Sequence, residues 1–191
     1  GLILKEPDLG TSLVFFPMLL VILLAARIKF KVLAGLAMAT MLVGTLAWFR
    51  GDRIIRPYQK QRLESFLRRD SKNYEQEEGY QLVQSIIAIG SGGIVGKGWL
   101  KGEHLYYLPE QHTDFIFAVL GEEFGFLGSA GILASYWLLV GLVVSTALQM
   151  RDAFGRYLIL GFMTLLGFQV LVNMGMTIGL LPITGLTLPF I

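Results

Sequence analysis

The sequence of 191 residues contains no cysteine, which excludes disulfide bonds, thiolate metal sites and cysteine nucleophiles. Charge is missing from long stretches. The 35 residues from Tyr157 to Ile191 include no Asp, Glu, Lys or Arg, well beyond the roughly 20 apolar residues that cross a bilayer. Three more uncharged stretches are Leu9–Ala26, Val32–Phe49 and Phe124–Met150. A soluble core cannot use so many uniformly apolar helices, so the sequence predicts an all-α, polytopic transmembrane helix bundle.

The overall charge and the two ends of the chain carry little functional information. A net charge of +2 gives no reason to expect nucleic acid as a partner. The chain starts at Gly1, without an initiator Met or a signal peptide, and it stops inside an apolar run. We therefore expect the sequence to be a fragment of a longer protein.

Two short turns predict the orientation in the membrane. Arg27–Lys31 holds three cations in five residues, and Met150–Arg156 holds two arginines. Short loops rich in Lys and Arg face the cytoplasm, so residues 50–113 are predicted to lie outside. That long segment also has ten Lys or Arg residues, but loops beyond about 60 residues escape the charge bias.

This topology divides the chain into three parts. Residues 1–49 are predicted to form two transmembrane helices joined by a short cytoplasmic turn. Residues 50–114 are predicted to form a large extracytoplasmic loop with amphipathic helices and a glycine-rich segment. Residues 115–191 are predicted to return to transmembrane helices with a cytoplasmic turn. Their final part is predicted to be a broken helix or re-entrant turn, because Pro182 and Pro189 interrupt it.

The long loop contains two helical patterns and a glycine-rich segment. Arg53–Arg69 suits an amphipathic helix at the lipid interface, and Tyr80–Ile89 has helical spacing of its apolar residues. The glycine-rich segment (residues 90–98) has five glycines in nine residues, which disfavours a helix. It fails the Walker and dinucleotide spacings. Two alternatives stay open, a re-entrant loop at the membrane surface and a phosphate-cradling backbone with Lys97.

A carboxylate stands where the polar loop meets the next apolar stretch. Asp114 is suited either to cap the helix that begins near Phe115 or to serve as a partly desolvated base in an outward cavity. Glu122 and Glu123 lie about two turns deeper, where unpaired carboxylates are costly. Helical geometry puts Glu122 on the side of Asp114 and points Glu123 towards a partner helix.

The remaining polar residues have ordinary structural interpretations. His112 beside the helix start favours capping or hydrogen bonding over acid-base catalysis, and with His104 it makes no zinc-ligand pattern. Asn173, in an uncharged stretch, favours hydrogen bonding between helices.

Motifs along the whole chain resemble the SEDS family (shape, elongation, division and sporulation proteins), most closely its RodA-type elongation branch rather than the FtsW-type divisional branch. The resemblance is collinear and rests on Lys5–Ser12, Tyr58–Arg62, Gln84–Ser85 leading into Ala88–Gly93, Gly96–Gly98, Leu108–Glu110, Thr113–Phe117, Asn173–Met176 and Gly179–Pro182.

This resemblance implies the later part of a roughly ten-span protein in the bacterial inner membrane. It implies a peptidoglycan glycosyltransferase that polymerises lipid II during cell elongation, releases polyprenyl pyrophosphate and works with a class B penicillin-binding protein. The fragment alone is expected to be inactive. A flippase for the lipid-linked precursor and a non-catalytic scaffold that activates the penicillin-binding protein are the alternatives.

The family pattern also implies roles for individual residues. Asp114 matches the essential loop aspartate and is predicted to be the general base for the acceptor sugar hydroxyl. The leaving pyrophosphate needs positive charge, for which a divalent cation (Mg²⁺ or Mn²⁺) is a candidate and no organic cofactor is expected. Contact of Arg62 with anionic lipid headgroups is the alternative to a substrate role. The residues predicted to contact substrate are Lys97, Lys101, Arg62, Glu110, His112 and Glu122.

Overall fold

The computed structural model describes residues 9–49, 77–102 and 114–191. Within these ranges the chain forms five α-helices and no β-strand, which confirms the predicted all-α architecture. The predicted interfacial helix Arg53–Arg69 lies outside the described residues. The helices are α1 (Leu9–Ala25), α2 (Phe30–Phe49), α3 (Glu77–Gly92), α4 (Ile116–Gln149) and α5 (Ala153–Thr177).

Two helices of the described ranges, α4 with 34 residues and α5 with 25, are long and apolar enough to cross a bilayer. Large apolar side chains are exposed along α4, including Trp137, Leu138 and Leu142. A continuous exposed apolar surface of this kind suits lipid rather than water. A shorter apolar stretch, Leu13–Ala25, lies in α1. The helical structure of α1 and α2 matches the first two predicted spans, whose crossing of the membrane stays a prediction.

The turn after α1 places an arginine in an unusual backbone conformation. The N–H of Arg27 donates to Leu24 O, and that of Ile28 donates to Leu23 O. These two bonds form a Schellman motif, whose left-handed residue is usually glycine. Here that residue is Arg27, with φ = 53°.

The turn between α4 and α5 is shorter than the sequence predicts. It leaves Met150–Asp152 between the helices, because α5 already begins at Ala153. The Asp152 carboxylate caps α5 by accepting from the N–H groups of Phe154 at 3.3 Å and Gly155 at 2.7 Å.

The core lies where α4 and α5 pack together, with α3 against α4 and α1 against α5. Residues 178–191 contain no helix, which confirms the predicted interruption of the last apolar run. Leu186 and Leu188 of this terminal segment (residues 178–191) are buried, so part of the irregular segment packs against protein, where non-helical backbone is tolerated in a membrane. The principal buried cluster comprises Phe117, Tyr136, Leu166, Val170, Met174 and Leu188.

Candidate functional site

Asp114 lies in the turn just before α4. The N-cap of this helix is Phe115, so Asp114 lies one position before the cap. The side chain is partly buried. A Cβ atom added to Gly185 would lie 3.6 Å from Asp114 Oδ2, which shows that the carboxylate faces the terminal segment. Asp114 therefore stands at the junction of α4 with the irregular end of the chain.

The side-chain amide of Asn173, a fully buried residue, holds this junction together. Its Nδ2 donates to the backbone oxygen of Asp114 at 2.8 Å and to that of Leu186 at 2.6 Å. The predicted interhelical hydrogen bond is wrong, because both acceptors lie in non-helical segments that have spare carbonyl groups. One amide of α5 thus fixes the backbone of Asp114 relative to the terminal segment.

Two further side chains attach the terminal segment to the helices. Gln169 Nε2 donates to Thr187 O at 2.9 Å, and the Tyr136 hydroxyl donates to Pro189 O. Together with Asn173, these donors satisfy backbone oxygens that lack helical partners. The wall beside the Asp114 carboxylate is therefore anchored at several points along its length.

The glycine-rich segment docks onto a break in α4. Gly125 has φ = 65° and ψ = −162°, so the carbonyls one turn earlier lose the amide partners that a continuous helix would supply. Backbone groups of the two segments replace those bonds reciprocally. Donor first, the bonds are Lys97 to Glu122 at 3.0 Å, Gly98 to Glu123 at 3.0 Å, Phe126 to Gly93 at 2.9 Å and Leu127 to Ile94 at 3.1 Å. The glycine-rich segment therefore bridges the break in α4 through backbone hydrogen bonds.

This docking corrects two predictions for the glycine-rich segment. Helix α3 extends through Gly92, three residues into a segment that was expected to be non-helical. The phosphate-cradle alternative is wrong for the Lys97 and Gly98 N–H groups, because both already donate to carbonyls of α4. Close approach explains Gly96, since a Cβ there would overlap Glu123 O.

Lys97 and Glu122 form an ion pair, with Nζ 2.7 Å from Oε1. The lysine side chain is 27% exposed and the glutamate side chain only 1%. The pair joins the glycine-rich segment to α4 and neutralises a carboxylate that lies two turns inside a membrane-length helix. Lys97 therefore compensates a buried charge, beside any contact with substrate.

Glu123 also bonds to the loop after α3. Its Oε1 accepts from the Leu100 N–H at 3.0 Å, so the prediction that Glu123 meets a partner helix is wrong. Lys101, in the same loop, is exposed. The predicted substrate residues Arg62, Glu110 and His112 lie outside the described ranges.

Residues 9–49, 77–102 and 114–191 contain no group of three His, Asp or Glu side chains placed to hold a metal ion. Mg²⁺ is often held by only one or two carboxylates together with substrate phosphates, so the divalent cation stays a prediction.

We expect replacement of Lys97 to destabilise the protein by leaving the Glu122 carboxylate buried without its cation. Lys97→Met is expected to cost about 3 kcal/mol, the range for breaking a buried pair. Combined with Glu122→Gln, it should cost less than the sum of the two single changes. Thermal unfolding of the full-length protein in detergent measures the loss of stability in each variant. Lys101→Met removes an exposed cation from the same loop and should change stability by less than about 0.5 kcal/mol. Additive effects at 97 and 122 would contradict the coupling.

The described geometry defines a polytopic, all-α membrane protein with a carboxylate at the start of one long helix. A model of the FtsW, RodA and SpoVE family, described as cell cycle proteins, matches residues 1–191. The chain belongs to this family, which is the SEDS family that its motifs indicate. Both FtsW and MrdB relatives match it at similar identity, so the RodA-type branch stays a prediction.

Curated relatives match over all of this chain. The probable peptidoglycan glycosyltransferase FtsW of Geobacter metallireducens is 39% identical, and the peptidoglycan glycosyltransferase MrdB of Escherichia coli K12 is 38% identical. The chain covers 49% and 50% of these two proteins, so it spans about half the length of the relatives it matches.

A solved structure has a fold similar to that of this chain. It comes from work on the coordination of polymerization and crosslinking by a peptidoglycan synthase complex. The similar chain in it is 33% identical and superimposes with a TM-score of 0.74 over 99% of this chain and 51% of its own length. The similarity therefore extends from sequence motifs to the arrangement of the helices.

Two features of the site cannot be predicted from the sequence. The break at Gly125 gives little sequence signal, because other glycines such as Gly131 lie in the same apolar stretch without interrupting the helix. The link from Asn173 to Asp114 spans 59 positions. A single buried amide near the end of an apolar helix was its only signal, and the partner could not be read from spacing.

Proposed function

We propose that the full-length protein is a peptidoglycan glycosyltransferase that polymerises lipid II, with Asp114 as its general base. Membership of the family and the printed names of its relatives support the reaction class. The observation that carries the residue assignment is the partly buried carboxylate of Asp114, held between α4 and the terminal segment by the bonds of Asn173. A carboxylate fixed in this way has a defined position from which to accept a proton.

The proposed step is an inverting displacement. The sugar hydroxyl of the acceptor attacks the anomeric carbon of the donor, and its proton passes to the Asp114 carboxylate. The bond between the anomeric carbon and the pyrophosphate oxygen breaks, and polyprenyl pyrophosphate leaves with the electron pair. Asp114 contributes by removing the proton as the new glycosidic bond forms.

Positive charge near the leaving pyrophosphate is the second requirement of this step. Lys101 is the exposed cation of the described loop, whereas Lys97 is paired with Glu122. We therefore assign Lys101 the more direct role at the pyrophosphate. Lys97 serves chiefly to hold the loop that carries it.

The protein is proposed to lie in the bacterial inner membrane with Asp114 on the outer side. Helix α4 runs from the residue after Phe115 to the arginine-bearing turn at Met150–Asp152, so Asp114 and that turn stand at opposite ends of one helix. Arg151 in this turn and Arg156 in the first turns of α5 lie at the same end, and short loops rich in cations face the cytoplasm. An outward Asp114 would meet glycan acceptors on the side where the cell wall is built.

A class B penicillin-binding protein is the proposed partner. The similar solved chain belongs to a peptidoglycan synthase complex that coordinates polymerization and crosslinking. A polymerase that forms strands and a partner that crosslinks them would divide this work between two proteins. A role in cell elongation is proposed from the motifs that resemble the RodA-type branch.

The decisive experiment supplies purified full-length protein with lipid II in detergent and separates the products by length. Glycan polymer formed in the absence of any penicillin-binding protein is the expected result. Transport of lipid II across vesicles without polymer would assign the protein to the flippases. Polymer that appears only with the partner's own transferase would assign it to the scaffolds.

Asn173 is expected to act on this reaction as a positioning residue. Asn173→Ala removes both hydrogen bonds that fix Asp114 and Leu186, and a small displacement of a catalytic group costs up to about 100-fold in rate. We expect kcat to fall about 10- to 100-fold with little change in KM for lipid II. Steady-state polymerisation rates measure both constants.

The matched control is Ser85→Ala. The Ser85 hydroxyl is buried and donates to Thr177 O at 2.8 Å, so this change also removes a buried bond between a side chain and a backbone oxygen. It should lower stability to a similar degree without the selective loss of kcat. Equal loss of kcat in both variants would reduce Asn173 to a purely structural role.

A further inference from the structure

A cavity lies at the end of the bundle opposite Asp114. It has a volume of about 440 Å³, within the range of small-ligand sites. The ends of α1 and α4 and the start of α5 border it, with Leu148 and Leu160 among its apolar lining residues and Arg27, Arg156 and Tyr157 among its polar ones. The lining of the cavity therefore combines apolar residues with two arginines.

The charge of this cavity is positive. Residues 9–49 contain no Asp or Glu, and Asp152 is the one acidic residue between 124 and 191. The Asp152 carboxylate already accepts two backbone N–H groups at the start of α5. Within the described ranges, neither Arg27 nor Arg156 forms an ion pair with a carboxylate. Two arginines without a carboxylate partner in this part of the chain suit an anionic ligand.

Local structure constrains the backbone of one arginine and the side chain of the other. Arg27 occupies the left-handed position of the Schellman motif, which is unfavourable for a residue other than glycine. The Arg156 guanidinium carbon lies 5.4 Å from the centre of the Tyr157 ring, within the range of a cation–π contact. The two arginines therefore come from different parts of the fold, Arg27 from the turn after α1 and Arg156 from α5.

The depth of the cavity indicates the source of the anion. It lies at the ends of the membrane-length helices α4 and α5, which is the level of lipid headgroups. Leu148 is 62% exposed and offers an apolar surface next to the arginines. Basic pockets between transmembrane helices bind the headgroups of anionic lipids in this way. We propose that the cavity binds the phosphate of an anionic phospholipid through Arg27 and Arg156.

The test measures lipid bound to the purified full-length protein by native mass spectrometry. Phosphatidylglycerol and phosphatidylcholine are titrated against the unaltered protein, Arg27→Gln and Arg156→Gln. Each substitution should weaken phosphatidylglycerol binding about fivefold, the ratio for one cation near an anionic surface, and leave phosphatidylcholine binding unchanged. Arg151→Gln is the matched control, because Arg151 is an exposed arginine at the same end that does not line the cavity.

Two results would overturn the proposal. Equal phosphatidylglycerol binding by Arg27→Gln, Arg156→Gln and Arg151→Gln would show that the cavity is not the lipid site. Displacement of the lipid by an equal concentration of inorganic phosphate would assign the cavity to a soluble anion. Neither readout depends on glycan synthesis. A negative result for lipid binding would therefore leave the proposed glycosyltransferase activity unaffected, and a negative result for that activity would leave the lipid site unaffected.

A measurement on the unaltered protein covers the case in which the variants fail to fold. Phosphatidylglycerol with a photoreactive headgroup is added to the full-length protein and irradiated, and the adducts are mapped by peptide mass spectrometry. Adducts within residues 25–27 or 156–160 are the expected result. Adducts confined to other parts of the protein would contradict the proposal.

Discussion

Asp114→Asn in the full-length protein is expected to slow the formation of glycan polymer from lipid II by at least about 100-fold, the lower range for loss of a general base. The amide has the size of the carboxylate but cannot accept the proton of the sugar hydroxyl. The backbone oxygen of Asp114, which binds Asn173, is unchanged by the substitution. The fold and the association with a partner should therefore persist, and the length and yield of polymer measure the effect.

Asp152→Asn is the matched control for this prediction. It makes the same chemical change at the opposite end of α4, where Asn also caps a helix well. Its polymerisation rate should stay within about twofold of the unaltered protein, since surface changes of this kind have small effects. A rate for Asp114→Asn within tenfold of normal would remove Asp114 from the role of base, even if other evidence for a glycosyltransferase stood.

The sequence predicts the helices and the position of the key carboxylate because both follow from local patterns. The uncharged runs Leu9–Ala26 and Val32–Phe49 have the length and composition of helices, and α1 and α2 occupy them. Pro182 and Pro189 cannot continue a helix, and the terminal segment is irregular. Asp114 is identifiable because a charged loop ends there and an apolar helix begins.

The contacts among distant residues could not be predicted in the same way. The geometry of one straight helix predicts the directions of the Glu122 and Glu123 side chains but not their partners. Both carboxylates bond to the loop after α3, because the break at Gly125 opens α4 to that loop. Asn173 likewise has its acceptors in segments far apart in sequence. A periodic pattern specifies which face a residue occupies, whereas the neighbour on that face depends on the packing of the whole chain.

The hydrogen bonds between the glycine-rich segment and α4 lead to the second large expected effect, a loss of stability. Gly125→Ala should strongly destabilise the full-length protein. The backbone angles at Gly125, φ = 65° and ψ = −162°, belong to a region that is essentially restricted to glycine and costs other residues about 1–3 kcal/mol. An added Cβ would also lie 2.8 Å from the carbonyl carbon of Ile94. The reciprocal backbone bonds would be lost, and with them the position of Lys97.

Gly131→Ala provides the control within the same helix. Gly131 is exposed and helical, and a Cβ added there meets no atom within 4 Å. Alanine is favoured over glycine inside a helix by roughly 0.5–1 kcal/mol, so this variant should be slightly more stable than the unaltered protein. The two substitutions add the same methyl group to α4 and are expected to shift the unfolding temperature in detergent in opposite directions. If Gly125→Ala proved as stable as Gly131→Ala, the break would not be the point at which the loop is held, and the positions assigned to Lys97 and Lys101 would have to be reconsidered.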